Sequence, residues 1–587
     1  MHNYKKVYDV DITVKELVLK VDQSTKTDKE AFGIVSGSDP GKTVTVNGNV
    51  DIDVQNKYYK APDGTGEIDP TFTNGIATIH HGNVTINGNV KVKVRVPEQE
   101  DDVEHKRIPN FLKHYYVNGI FSGLNYDTGN PGSRITISGD ADVDTDGTGV
   151  HAGGQSVITI GGGGTIKTPQ HDVFPFFSLN AEEGIISMNV QFDAAGEVTG
   201  AGARPTKIYG NIGLIDREDD TPRIAGTMRT TINLGLATPD SVLHGIVFDD
   251  FKEHGKTAEN DSEKSEQRAN TGLRLYLQNG ATWHNKSWGA MLPAGPWGGL
   301  PRAFSGSKLM SLTGGATRAQ AGKIFQEDHR PISVENYSGY TTVLYEHDAA
   351  DPTAIKGGDF IIKKAAGNSG VTLRTDNAGL DTSSASAEAK NKVNATLHAL
   401  AQKLYYSAYA SGERNLAGEV EIAEGLTTPS ATLKLGNIGY HPTSGQGQYS
   451  YENAADITYG PAETVIMKGT KAALLAGALG WRSNNNDLDR RLGELRLAET
   501  ERGAWVKYLG GKHDIRETHV DLDTTYHFVQ LGYDTDVKGW TIGGAVEYGT
   551  VKGNAVGGHA DGSIAGLAFY GTQRRSEEHT SNSSHGS

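Results

Sequence analysis

Apolar and polar residues alternate in short runs along most of this chain, and each run ends in Gly, Asn or Asp. Examples are "VTVNGNVDIDV" (44–54), "VTINGNVKVKV" (84–94), "SRITISGDADVDTDGTGVHAGGQSVITIGGGGTIKT" (133–168), "KIYGNIGLI" (207–215), "TTINLGL" (230–236), "LRLYLQNGATWHN" (273–285) and "SKLMSLTGG" (307–315). A period of two predicts strands, and almost no helical period interrupts them across this region. Val44, Asn47, Gly48, Asn49 and Val50 of the first run recur as Val84, Asn87, Gly88, Asn89 and Val90 of the second, an offset of forty residues that we read as two coils of about twenty. An ordinary hairpin has the same local pattern, since Asn-Gly is its favoured turn. The wider series favours a solenoid over a row of β-sandwiches. In a parallel β-helix each coil buries its inward Val, Ile and Leu against the next.

The period changes in "ASAEAKNKVNATLHALAQKLYYSAYASGE" (385–413), where Val393, Leu397, Leu400, Leu404 and Tyr405 fall at steps of three and four. That spacing predicts an amphipathic helix. Strand-like "GEVEIAEGLTTPSATLKLGNIGY" (418–440) follows, and the pair reads as a cap over the last coil's open edge. From Ala462 to Arg496 there is no proline and no turn cluster, so one helix roughly 50 Å long is expected. Its first half, with Gly469, Ala472, Ala473, Ala476, Gly477 and Gly480, is slender; its second, "WRSNNNDLDRRLGELR" (481–496), is dense in amides and charge. Such a helix is costly in lipid and suits a confined polar channel.

Four further strands are expected at 504–511, 524–537, 539–553 and 562–572. In the third, Trp540, Ile542, Gly544, Val546 and Tyr548 share one face, and Thr541, Gly543, Ala545, Glu547 and Gly549 share the other. Apolar outside, polar or small inside and aromatic at the ends is the pattern of an outer-membrane barrel wall. Trp540, Ile542, Val546 and Tyr548 are the expected membrane-facing residues.

Composition narrows the class. The 587 residues exceed one ordinary domain several times over, so the chain is multidomain or repetitive. A net charge of -15 argues against nucleic acid as a partner. No cysteine is present, which rules out disulfides and thiolate metal sites. No stretch approaches the roughly 20 apolar residues of a spanning helix, and "MHNYKKVYDVDITVKELVLKV" has no leader-like apolar region.

The motif W-R-x-x-N-N-D-L-x-x-R-L-G-x-L-R within the long helix, followed by "GAWVKYLGGK", "FVQLGYD" and "GWTIGGAVEYG", resembles the translocating end of a monomeric, type V autotransporter of Gram-negative or other diderm bacteria. "IFQEDHRPISVENYSGYTTVLYEHD" and "ALAQKLYYSAYASGERNLAGEVEIAEGLT" resemble the end of such a passenger, so the resemblance covers Ile324 onward, and the earlier coils only in texture. It implies an all-β protein: a right-handed parallel β-helix passenger (1–384), a helix-plus-strand cap (385–460), a pore-spanning linker helix (461–498) and an incomplete antiparallel outer-membrane β-barrel (503–573). Outer-membrane lipid and the barrel-assembly machinery are then partners. The barrel sits in the outer membrane, and the passenger lies at the cell surface or outside it.

The resemblance also places Trp481, Arg482, Asn485, Asn486, Leu488, Arg491, Gly493 and Arg496 on the pore helix. In related serine protease autotransporters an asparagine there cleaves the chain by attacking its own carbonyl. The corresponding dyad falls on Asn486 and Asp487 and departs from the family pattern at its second position. We favour lumen-facing amides and an uncleaved, tethered passenger.

Nothing in the passenger declares an enzyme. In "DVDTDGTGVHAGG" (142–154) Asp142, Asp144, Asp146 and Gly147 open like an EF-hand, but Gly153 stands at the twelfth position where Glu is needed. The three alternating aspartates read instead as one solvated strand face. No G-T-S-M-A, G-D-S-G or G-D-S block occurs, "VFDDF" (247–251) lacks a following Gly-His-Gly, "HHG" (80–82) reads as a turn, and "GGGG" (161–164) lacks the helix of a phosphate loop. No metal site or cofactor is expected. We therefore read the passenger as an adhesin or aggregation factor for a host or bacterial surface protein or glycan, with Trp288 and Trp297 of "WGAMLPAGPWGGLPRAF" (288–304) as a contact loop. The alternative is a polysaccharide lyase or glycosidase on the same scaffold. Carboxylates clustered beside a groove would favour the enzyme; a flat polar face with threonine or aromatic ladders would favour adhesion. Four strands fall short of a closed barrel, and "RRSEEHTSNSSHGS" (574–587) abandons the strand pattern and resembles translated sequencing adapter. The tail is thus expected to be non-native and the chain truncated at both ends.

Overall fold

A computed structural model describes residues 9–23, 30–37, 42–56, 59–60, 68–69, 72–96, 117–123, 132–169, 177–182, 184–215, 230–249, 271–287, 304–435, 437–443, 446–452, 456–497, 503–517, 520–555 and 558–573. The protein is all-β, with many parallel strands in one large sheet and an antiparallel sheet of four strands near the C-terminus. Two compact units are present. The first comprises Met1–Leu380, Ser386–Ile422 and Thr432–Thr458; the second comprises Asp381–Ala385, Ala423–Ala431 and Tyr459–Ser587.

In the first unit the inward half of each alternating run becomes a continuous stack. Val46, Ile86, Ile137, Ile160, Met188, Leu234, Leu275 and Leu312 lie beside one another in register on successive parallel strands. A second column runs Ile52, Val92, Val143, Ile166, Ile208, Leu243, Trp283, Ile324, Val343, Leu373 and Val420. All of these side chains are buried. Burying one such residue stabilises the fold by roughly 1.5–3 kcal/mol, so the columns dominate its stability.

A second parallel sheet joins Glu30–Ser36, Phe72–Ile79, Val117–Gly123, Thr148–Gly153, Phe177–Glu182, Asn211–Leu214 and Val247–Asp249. Between its visits to this sheet the chain returns to the large one, and this corrects the repeat reading. Thr43–Gln55 pairs directly with Asn83–Ile86 and Val90–Arg95, so forty residues make one stacking step, not two of about twenty. The next steps span 51 and 23 residues, because the length of chain outside the strands varies while the paired core does not.

The Asn-Gly-Asn repeat is not a hairpin either. Thr43–Gln55 runs through Asn47-Gly48-Asn49, and Asn49, Asn89 and Asp140 form a ladder. Each side-chain oxygen accepts from the backbone N–H one step on: Asn49 from Asn89, Asn89 from Asp140 and Asp140 from Gly163, all at 2.9 Å. Gly48 is required there, since its φ is 153° and a Cβ would lie 1.8 Å from the Val14 carbonyl oxygen.

Helix α1 (Ala387–Ala401) is capped by Ser386, whose side chain accepts from Ala389 N, and it buries Val393, Leu397 and Leu400 as the periodicity predicts. Leu404 and Tyr405 do not extend it. They lie in the strand Leu404–Tyr406, paired with Phe360 and Ile361, because the edge of the preceding strand offers a ladder that helical spacing alone does not reveal.

In the second unit helix α2 (Val465–Leu497) starts at Thr464, whose hydroxyl accepts from Met467 N at 3.0 Å, with Glu424 also accepting from Val465 N and Ile466 N. The four strands Gly503–Glu517, Val520–Val537, Trp540–Ala555 and Gly558–Gln573 are longer than their apolar stretches, since antiparallel pairing carries their charged ends along. Lys538 and Gly539, both at positive φ, form the two-residue hairpin between the second and third strands.

Candidate functional site

In-register stacking also organises the outward residues of the first unit. Thr45, Thr85, Thr136 and Thr159 form one half-exposed column, which runs on into Ser187 and Asn233, both buried. Another begins Lys20, Asp53, Lys93, Asp144, Lys167, alternating in charge, and continues Tyr209, His244, His284, Phe325, Leu344, Arg374, Glu421. Neighbouring strands are about 4.8 Å apart, so opposite charges one step apart attract, although each exposed pair contributes only about 0–1 kcal/mol.

The three aspartates singled out above belong to this face. Asp142 accepts from Thr165 N at 2.8 Å; Arg95 donates to Asp144 at 2.5 Å and lies 3.5 Å from Asp146, which also accepts from Val96 N at 2.9 Å. They stitch adjacent strands together and do not form a calcium loop. His80 and His81 occupy a left-handed turn, and the glycine run lies between the strands Val157–Ile160 and Gly164–Lys167, both as expected.

At the far end of the same face lies a cavity of about 480 Å³, within the usual range for ligand pockets. Tyr340, Thr342 and Thr372 supply hydroxyls to its wall; Arg318, Arg374, Glu419, Glu421 and Lys434 supply charge. Arg318 pairs with Glu419, which also accepts from the Thr372 hydroxyl at 3.0 Å. Arg374 donates from Nε and Nη2 to Glu421 at 3.1 and 2.8 Å. Walls so rich in donors and acceptors suit a polar ligand. Both carboxylates are held by arginines, so neither is set up as a free nucleophile.

Midway along the column a third feature interrupts the charge pattern. The His284 ring stacks on Phe325 at 4.3 Å and 2°, meets His244 edge-on at 4.8 Å, and its Nδ1 is 2.7 Å from Glu327 Oε1. Burial, reinforced by the neighbouring His284, pushes the His244 pKa below its ordinary value. One ligand atom from each of His244, His284 and Glu327 lies within 4.8 Å of the others, and among the described residues this is the trio able to hold a metal ion.

In the second unit Ala472 and Ala476 of α2 pack on Leu522, Phe528 and Val551 of the sheet. A Cβ on Gly480 would come within 2.7 Å of Val551 Cγ2, so the small residues of the helix are needed for close approach. Its described polar contact with the sheet is Ser483 Oγ to His513 Nε2, 3.0 Å. Trp481, at 61% exposure, and Arg482 lie on the solvated side of the helix. Asn485, Asn486, Asp487, Leu488, Arg491, Gly493 and Arg496 belong to α2, but their side chains lie outside the described residues, as do Trp288, Trp297 and the segment 574–587.

The two faces of the four-stranded sheet separate as the alternation predicts. Trp540, Ile542, Val546 and Tyr548 are exposed, together with Val506, Leu567 and Phe569. The opposite face buries Gln530 and Asp534: Gln530 Nε2 donates to Glu547 at 3.3 Å, the Tyr570 hydroxyl donates to Asp534, and Trp505 Nε1 donates to Tyr570 at 3.1 Å. Sequence reasoning did not pick out this polar network, nor the cavity or the imidazole pair, since each is assembled across strands. No model of a protein family, no curated protein and no solved structure matches this chain.

Proposed function

We propose that the chain is an autotransporter: a surface-displayed passenger built as a right-handed parallel β-helix, carried by a C-terminal outer-membrane barrel of which four strands and the pore helix are present. The observation that carries this reading is the second unit's design. A 33-residue helix, too polar to span lipid by itself, lays its small residues on one face of an antiparallel sheet whose other face is bare and apolar. A sheet in water hides such a face; a barrel wall turns it to lipid. The passenger acts as an adhesin or aggregation factor for a surface glycan or protein, because its outward face is a set of flat hydroxyl and charge ladders ending in a polar cavity. A polysaccharide-active enzyme is the weaker reading, since Glu419 and Glu421 are each engaged by an arginine.

The test is to express the chain behind an export signal, with its barrel completed to closure, in a Gram-negative host carrying an epitope in the first unit. Surface labelling, outer-membrane fractionation and binding to a glycan panel are expected, with Arg374→Ala plus Thr342→Val lowering glycan binding without lowering display. An epitope that stays inside the cell overturns the transporter reading, and unchanged binding by the double variant overturns the cavity's role.

A further inference from the structure

We propose that His244, His284 and Glu327 form a binding site for a divalent transition-metal ion of the zinc class on the solvent-facing column of the parallel sheet. The inference does not depend on the proposed function. Two histidines 40 positions apart in the chain become neighbours because Val242–His244 and Thr282–Asn285 pair in parallel, with His244 directly beside His284. Glu327 arrives from the next strand connection, one position beyond Gln326, which pairs with Asn285. Two imidazole nitrogens and one carboxylate oxygen are a donor set for zinc, nickel or copper, whereas calcium and magnesium call for oxygen ligands alone.

Ligand atoms bound at about 2.0–2.2 Å in a tetrahedral site lie about 3.3–3.6 Å apart. These three lie within 4.8 Å of one another, so the widest pair closes by about 1 Å, and the 2.7 Å contact of His284 with Glu327 opens by somewhat less. Both histidines are half-buried and Glu327 keeps solvent access, so side-chain rotation can close the gap without moving the strands. The His284 ring is already oriented: Phe325 stacks on one side, His244 meets it on another, and Glu327 holds Nδ1 at 2.7 Å. An ion entering there takes the place of the proton shared by Nδ1 and the carboxylate, which passes to solvent. Lys286 Nζ lies 3.9 Å from Glu327 and is half exposed, so it flanks the carboxylate at the solvent side. Three protein ligands leave a fourth position for water or for a group on a partner.

The experiment uses the full chain, stripped with a chelator and titrated with Zn²⁺ by calorimetry beside the His244→Asn/His284→Gln double variant and Glu327→Gln. Twenty histidines make total uptake uninformative, so the comparison decides. The wild type is expected to bind one equivalent more than the double variant, and Glu327→Gln to weaken that equivalent at least about tenfold. Both substitutions are polar and lie on the solvated face, and exposed His329→Asn serves as the variant that leaves binding unchanged. With Cu²⁺ in place of Zn²⁺, the electron paramagnetic resonance spectrum should show coupling to two nitrogens in the wild type and to one in His244→Asn. Equal uptake by wild type and double variant, or a copper spectrum insensitive to His244, overturns the proposal.

Discussion

The two units put the same binary pattern to opposite uses. In the first, alternation sends Val, Ile and Leu into columns closed to solvent, and the outward residues are Thr, Asn, Lys and Asp. In the second, the face packed by the helix carries Thr524, Gln530 and Asp534 beside Phe528, while the uncovered face carries Val506, Leu567 at 73% and Phe569 at 86% exposure. An apolar face is stable only where it avoids water, so the uncovered face of the second unit needs a cover that the first unit does not, and lipid is that cover under the function proposed above.

The sharpest way to break that comparison is to cut into each apolar face. Trp283→Ala removes the bulkiest fully buried side chain among the described residues of the first unit and leaves the Gly245 carbonyl without its indole donor, so urea unfolding should show a loss of about 3–5 kcal/mol. Phe569→Ala on the open face of the second unit should change stability in buffer by under about 0.5 kcal/mol. A loss there comparable to that at Trp283 would mean that protein, not lipid, covers the face.

Arg330→Ala should cost about 3–5 kcal/mol, because it strands the buried Asp328 carboxylate, which Arg330 binds from Nε at 2.8 Å and from Nη2 at 3.1 Å. This pair also predicts a pH dependence. Burial alone would raise the Asp328 pKa, but hydrogen bonds from Arg330 and Ser287 override it and hold the carboxyl below its ordinary value. A depressed carboxylate contributes stability above the unfolded pKa of about 3.9, and the contribution is lost as pH falls through the lower folded value. Urea midpoints at pH 7, 5 and 3 should therefore fall at the acid end in the wild type and fall less in Arg330→Ala.

Leu567→Arg sharpens the second side of the comparison. In a bilayer it should destabilise by about 2–4 kcal/mol if the residue sits near mid-depth, whereas in buffer it should raise solubility. A smaller loss belongs to the ladders. Asn89→Ala removes the oxygen that accepts from Asp140 N and should cost about 1 kcal/mol by the same urea assay, with no change in oligomeric state.

Much of this architecture is legible along the chain. Alternation announced the strands, helical spacing announced α1, a long run without proline or turn residues announced α2, and the faces of Trp540–Ala555 separated by parity. The errors have a common cause. Forty residues looked like two coils because a strand of the second sheet lies between the matching runs, and periodicity cannot tell a return visit from a detour. Leu404 and Tyr405 continued the helical spacing yet pair as a strand, because the ladder they complete comes from Phe360 and Ile361, more than forty positions earlier. The candidate sites were the least legible. His244, His284 and Glu327 are single residues in three separate runs, and Arg374 with Glu421, 47 positions apart, means nothing before the register is known.

The sequence by itself therefore determined which side of each strand is apolar, from a period of two in neighbouring residues, and where a long, slender helix must lie, from a run of small and helix-forming residues without proline or turn signals. Only the tertiary structure decided which outward residues share a column, that one stacking step takes forty residues in one place and 23 in another, and that two histidines meet a glutamate. The physical reason is that parallel pairing joins strands through connections of variable length, so side chains less than 5 Å apart are separated by chain that carries no local record of the pairing.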